Sequence, residues 1–180
     1  MRKFPNTLRH WLAREDGSTS VEFVTIMPLA VAVFLASAES GIISLRKTFL
    51  DRALEYTVRE LRLGKIADTS AASLKAIICS RMTLVDNCAN NLRLEMNVVS
   101  TSVATSLVMP STTSLCIDRS AAIVPPDALN FGVANDLVLV RACLVQDIVF
   151  PTSTAQVAVG DPTNDEYQLI STTVFVNEPS

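Results

Sequence analysis

Histidine is almost missing from this chain of 180 residues. The one present, His10, stands near the N-terminus ahead of a long apolar run. Everything after it lacks an imidazole, which removes Ser-His-Asp and Cys-His nucleophilic machinery and every His-ligated metal site. Glycine is scarce too, with 5 residues scattered so that none group into a phosphate-cradling loop. Charge is thin: 18% Asp, Glu, Lys and Arg, for a net of −3. The cations are dispersed and no basic patch interleaves with aromatics, so nucleic-acid binding has no electrostatic footing. No Cys-x-x-Cys occurs, which leaves zinc-ribbon and thioredoxin-type chemistry without its spacing. Asp161, Asp165 and Glu166 lie close together but lack the alternating ligands of a calcium loop, and read as a solvated turn. The expectation is a non-enzyme with no catalytic residue, metal, cofactor, nucleic-acid partner or small-molecule substrate.

What the chain has in quantity is apolar surface, at 49% of residues. That is too apolar for disorder and enough for one modest domain plus a membrane segment. The longest run extends from Phe23 to Leu45, interrupted by Glu39 and the small polar Ser37, Ser40 and Ser44. As a helix rising about 1.5 Å per residue it reaches roughly 35 Å, against a bilayer core of about 30 Å. Arg2, Lys3, Arg9 and Arg14 precede it, against Glu15 and Asp16, which favours a cytoplasmic N-terminus and an exported C-terminal part. Arg46 and Lys47 on the far side weaken that asymmetry. All four cysteines, Cys79, Cys88, Cys116 and Cys143, follow the run, and an even number in an exported segment reads as disulfides. Three pairings are open. A local Cys79–Cys88 bridge closes easily across a short turn and leaves Cys116–Cys143, which is the preferred set.

Apolar residues continue at helical spacing through Phe49, Leu50, Ala53, Leu54, Val58 and Leu61, and Gly64 sits where a C-cap belongs. One continuous helix from about Ser18 to Leu63 is the economical reading. Pro28 lies inside it and removes one backbone bond, so a kink or local unwinding is expected there, with Thr25 at hand for the freed carbonyl. Asp68-Thr69-Ser70 opens a short helix whose apolar face is Leu74, Ile77 and Ile78. The period then changes to two: Leu92, Leu94, Met96 and Val98 alternate with polar residues, as in a half-buried strand. Leu137 to Phe150 is apolar on both faces, like a central strand ended by Pro151, and Gln168 to Val176 is a third strand. The Ser/Thr-rich stretch from Ser100 to Ser120, Pro125-Pro126 and Asp161-Pro162-Thr163-Asn164 read as loops and turns. The expected fold is α+β: a long N-terminal helix, half in lipid, packed on a small antiparallel sheet and stapled by disulfides.

A carboxylate in the apolar run costs several kcal/mol at membrane depth and asks for a reason. Glu22 lies five residues past Gly17. It can accept a charge-assisted contact from the free α-amine of a neighbouring subunit, fixing axial register, or reach back to headgroups; the first reading is favoured. Glu39, near the far membrane surface, is read as snorkelling into the interface. Gly17-Ser18-Thr19-Ser20-Val21-Glu22-Phe23, Pro28 and Glu39-Ser40-Gly41 together resemble the N-terminal signature of the TadE-like family, pseudopilins of the tight adherence (Tad/Flp) pilus apparatus. Val138-Leu139-Val140-Arg141, Phe150-Pro151 and Thr173-Val174-Phe175-Val176-Asn177-Glu178-Pro179 resemble family stretches at similar places, although only the N-terminal block is specific.

The resemblance implies a prepilin leader over residues 1–17, cut by a prepilin peptidase between Gly17 and Ser18. It implies Glu22 as the recognition and packing carboxylate, and pilin-like architecture. A transmembrane helix over 18–45, its periplasmic continuation over 46–64 and an α+β domain over 65–180 complete the organisation. The implied partners are the peptidase, other pilins, inner-membrane pilus assembly proteins and the membrane itself, with the folded domain in the periplasm. TadE, TadF and related minor subunits are not distinguished. The rival is a secreted periplasmic domain cut by signal peptidase after Ala38, within Phe34-Leu35-Ala36-Ser37-Ala38-Glu39. Against it stand Glu15 and Asp16 beside the run, Glu22 within it, and its excessive length. An uncleaved single-pass membrane protein is the third reading.

Overall fold

The computed structural model describes residues 18–99, 116–121, 126–150 and 165–177. The leader with Gly17, the bulk of the Ser/Thr-rich stretch, Pro125, Pro151, the Asp161–Asn164 turn and the terminal Glu178-Pro179 lie outside them. Helix α1 spans Ser18–Arg62, 45 residues, and Pro28 sits inside it without ending it. It stops where the sequence demands a positive φ: Gly64 is at +63°. The Gly64 N–H donates to the Leu61 carbonyl at 3.0 Å and the Lys65 N–H to that of Glu60 at 3.1 Å. This double closure satisfies carbonyls the helix would otherwise leave open, and glycine takes the left-handed position without a Cβ clash. Helix α2, Ala71–Ser80, starts at Ser70, whose hydroxyl accepts from the Ser73 N–H at 3.3 Å. A single turn, α3 (Cys88–Asn91), leads into the sheet.

Four strands follow: β1 (Leu92–Val99), β2 (Ala128–Leu129), β3 (Leu137–Asp147) and β4 (Glu166–Val176), in the spatial order β2-β1-β3-β4. β3 pairs antiparallel with both β1 and β4, for example Leu94 opposite Ala142 and Leu144 opposite Leu169. β2 runs parallel to β1, so the sheet is mixed and not the antiparallel sheet expected. Two residues carry no periodic signal. They are held by the bond from Asn130 N–H to the Met96 carbonyl and by Asp127, whose carboxylate accepts from the Leu94 N–H and pairs with Lys75.

The core forms where α1 and α2 cover one sheet face. Leu50, Ala53, Leu54 and Val58 of α1 join Leu74 and Ile78 of α2, Leu92, Leu94 and Met96 of β1, and Val138, Val140, Ala142 and Leu144 of β3. β3 is also buried at Leu139, Cys143 and Val145 on its opposite face, as a central strand should be. Cys79 is bonded to Cys88 and Cys116 to Cys143, with Cα atoms 5.7 and 5.4 Å apart. The first bridge ties α2 to α3 and the second ties the segment around Ile117 to β3.

Candidate functional site

Two stretches of α1 carry the chemistry. In the first, nothing among the described residues covers the helix: an 18-residue window has a mean hydropathy of 2.1 and is 0% buried. Side chains are exposed all round, from Val21 and Phe23 through Leu29 to Phe34. This helix, predominantly apolar and without a partner among the described residues, is long and apolar enough to cross a membrane. Three of its hydroxyls are satisfied by the helix's own carbonyls. Ser37 donates to the Val33 carbonyl and Ser44 to that of Ser40, both at 2.8 Å. Thr25 donates to the carbonyls of Val21 (3.0 Å) and Glu22 (2.9 Å). The carbonyl that Pro28 deprives of its usual donor is Val24's, so Thr25 does not serve the purpose expected of it. Glu22 is exposed, one turn into the helix. Ser18 is the first residue of α1, while Gly17 lies outside the described residues.

The second stretch lies at the other end of the apolar segment, about 26 Å along the helix from Glu22. Glu39 does not snorkel. It is 0% exposed, and its carboxylate accepts the backbone N–H groups of Val149 (3.2 Å) and Phe150 (2.9 Å), one on each oxygen. Two successive amides give a buried charge the donors that water would have provided. They also explain why β3 ends at Asp147 although Val149 and Phe150 continue the apolar run: their N–H groups leave the ladder for Glu39. Two turns further on, Arg46 is 7% exposed. Its Nε donates to the Leu84 carbonyl at 2.8 Å, and its Nη1 to the Asp147 carbonyl at 3.2 Å and to Tyr167 Oη at 2.5 Å. The Tyr167 ring centroid lies 5.9 Å from the guanidinium carbon. Burial pushes the Tyr167 phenol above its ordinary pKa, opposed by the Arg46 bond. Sequence reasoning missed this anchor, although a signal exists. Glu39, Arg46, Leu50, Ala53 and Thr57 recur at steps of seven, four, three and four, so the acid and the base belong to the stripe that faces the core.

Above the anchor, Arg119 bonds both carboxylates at the sheet end. Its Nε donates to Glu166 at 2.9 Å and its Nη2 pairs with Asp147. The Arg119 hydrogen bond, opposed by partial burial, holds the Asp147 carboxyl below the usual carboxylate range. A carboxyl lowered on folding contributes stability that is present above its unfolded pKa and lost as pH falls through the folded one. Asp147 is 72% exposed, so the pair contributes at most about 1 kcal/mol. Asp147→Asn keeps the carbonyl that Arg46 uses. It is expected to lower stability slightly at pH 7 and to flatten the loss of stability below about pH 4, read by denaturant titration at several pH values.

The structure does not bring the expected residues together: Glu22 stands at one end of α1, and both disulfides lie within the folded part. Among the described residues no group of three or more His, Cys, Asp or Glu could hold a metal ion. Comparison with family models, curated proteins and solved structures finds no match.

Proposed function

We propose that this chain is a minor pilin or pseudopilin of a Tad (Flp) pilus system, contributing to pilus biogenesis and surface adhesion. Its place is the bacterial inner membrane, with the disulfide-stapled domain in the periplasm. It is a substrate of a prepilin peptidase that cuts between Gly17 and Ser18, and no enzyme itself. The observation that carries this reading is α1, a helix bare and apolar over its first half and the spine of a folded domain over its second. Such a helix can lie in lipid or exchange lipid for equivalent helices without disturbing the domain. Glu22 gives the reading its chemistry. Cleavage creates an ammonium at Ser18, and Glu22, the one charged residue between Ser18 and Ala38, is the group to meet a neighbour's ammonium, since two opposite charges leave water at lower cost than one.

The test is the intact mass of the protein extracted from membranes of a host with the matching export machinery. A chain starting at Ser18, and a full-length chain for Gly17→Glu, is the expected result. A wild-type chain left at full length overturns processing. A soluble chain starting at Glu39 overturns the pilin reading altogether.

A further inference from the structure

Glu39 and Arg46 fix more than the fold: they set which side chains stand where the apolar segment ends. Glu39 holds the backbone of Val149 and Phe150 at its own level. Arg46, about 10 Å further along the helix, holds the Leu84 carbonyl. Three large apolar side chains at this level point to solvent: Leu45 at 50% exposure, Leu84 at 59% and Val149 at 44%. Leu84 adopts φ +66°, a left-handed conformation that suits glycine or asparagine and strains a bulky side chain. A leucine at an exposed position that favours a small polar residue marks the side chain as wanted. We infer that the base of the folded domain dips into the bilayer, with Leu84 and Val149 as an apolar foot in the interfacial zone just above the hydrocarbon.

The occupant of this patch is lipid because the patch is continuous with the bare apolar helix, and the polar zone of one leaflet is only about 5–8 Å deep. With the bare segment before Glu39 filling the core, Val149 falls at the hydrocarbon edge, and Leu84, held by Arg46 about 10 Å further along the helix, falls at the outer side of that zone. Lys47 at 40% side-chain exposure, paired with Asp51, and Asp147, paired with Arg119, place charges of both signs beside the foot. That mixture suits zwitterionic headgroups. The foot would fix the tilt and height of the domain, so that subunits meet partners at a set distance from the membrane.

This inference rests on α1 crossing the membrane, and the test separates the two. Trp11 is the only tryptophan, so Trp11→Phe supplies a background for single probes: Phe34→Trp in the span, Leu84→Trp and Val149→Trp in the foot, and Leu63→Trp just past the far end of α1. All four sites are exposed and tolerate the larger ring. Fluorescence is compared in phosphatidylcholine vesicles with and without bromine near the top of the acyl chains. Clear quenching at positions 34 and 149 and weaker quenching at 84, with position 63 unchanged, is expected for groups at graded depth from the hydrocarbon outwards. Quenching at 34 with 84 and 149 behaving like 63 overturns the foot and leaves the span. No quenching at 34 overturns both.

Discussion

Arg46→Met is expected to lower folded-state stability by about 3–5 kcal/mol while α1 still inserts into membranes. Methionine fills most of the volume of the arginine stem, so the loss is one of polar partners rather than packing. Arg46 is 7% exposed and donates to the carbonyls of Leu84 and Asp147 and to Tyr167 Oη. Its removal strands three acceptors at once: the buried Tyr167 Oη, worth about 1–3 kcal/mol without a partner, and two part-buried carbonyls whose cost hydration partly recovers. Replacing a buried charged residue with an apolar one is harmless only when its partners go too, and here they all remain. Arg46→Lys keeps the charge but not the planar fork, and one ammonium does not reproduce contacts made by Nε and Nη1 on different elements. It should fall between wild type and Arg46→Met. Guanidinium unfolding of the detergent-solubilised protein, followed by near-ultraviolet circular dichroism, measures the difference. A loss below about 1 kcal/mol would reduce Arg46 to the strength of a surface contact and remove the anchor from the account.

Arg46 and Glu39 also mark the boundary between what was legible in the sequence and what was not. Helix α1, its stop at Gly64, the N-cap at Ser70 and the central strand are written in local patterns: spacing of three and four, a glycine, a serine, an apolar run. Short-range geometry suffices for these, and they lie where the patterns put them, except that the central strand stops at Asp147, three residues short of Phe150. Glu39 depends on Val149 and Phe150, more than a hundred residues away. Hydropathy sees only an acid at the end of an apolar run, and the interface is the sensible place for such an acid. The error propagated, because the amides that Glu39 takes are those that would have continued β3 to Phe150. β2 escaped for a different reason, since two residues cannot show a period of two. Glu22 is a third case. The partner proposed for it belongs to another molecule, so the geometry of a single chain has nothing to add to its offset from Gly17.

A chain beginning at Lys65 is expected not to fold, whereas one beginning at Ala38 should form the soluble domain with both disulfides. The usual intuition for an anchored protein puts the boundary after the long helix, at Gly64, and treats that helix as a tether. The core argues otherwise. Leu50, Ala53, Leu54 and Val58 are 0 to 5% exposed and lie against the same sheet face as Val140, Ala142, Leu144 and Leu169. Removing α1 loses about 1.5–3 kcal/mol for each large side chain it buries. It also uncovers the sheet residues facing them and deletes the whole Glu39–Arg46 anchor. The loss matches or exceeds the 5–15 kcal/mol by which ordinary domains are stable. The disulfides do not compensate, since they restrict the unfolded chain and supply no second layer to cover an apolar sheet. Amide proton spectra of the two fragments decide the matter. Dispersed signals from the shorter one would make residues 65–180 an autonomous domain. Collapsed signals there, beside dispersed signals from the fragment starting at Ala38, would show that the helix that meets the membrane is also the layer that completes the core. Displacement of α1 along its axis would then be felt directly by the folded domain, with no hinge at residues 46–64 to absorb it.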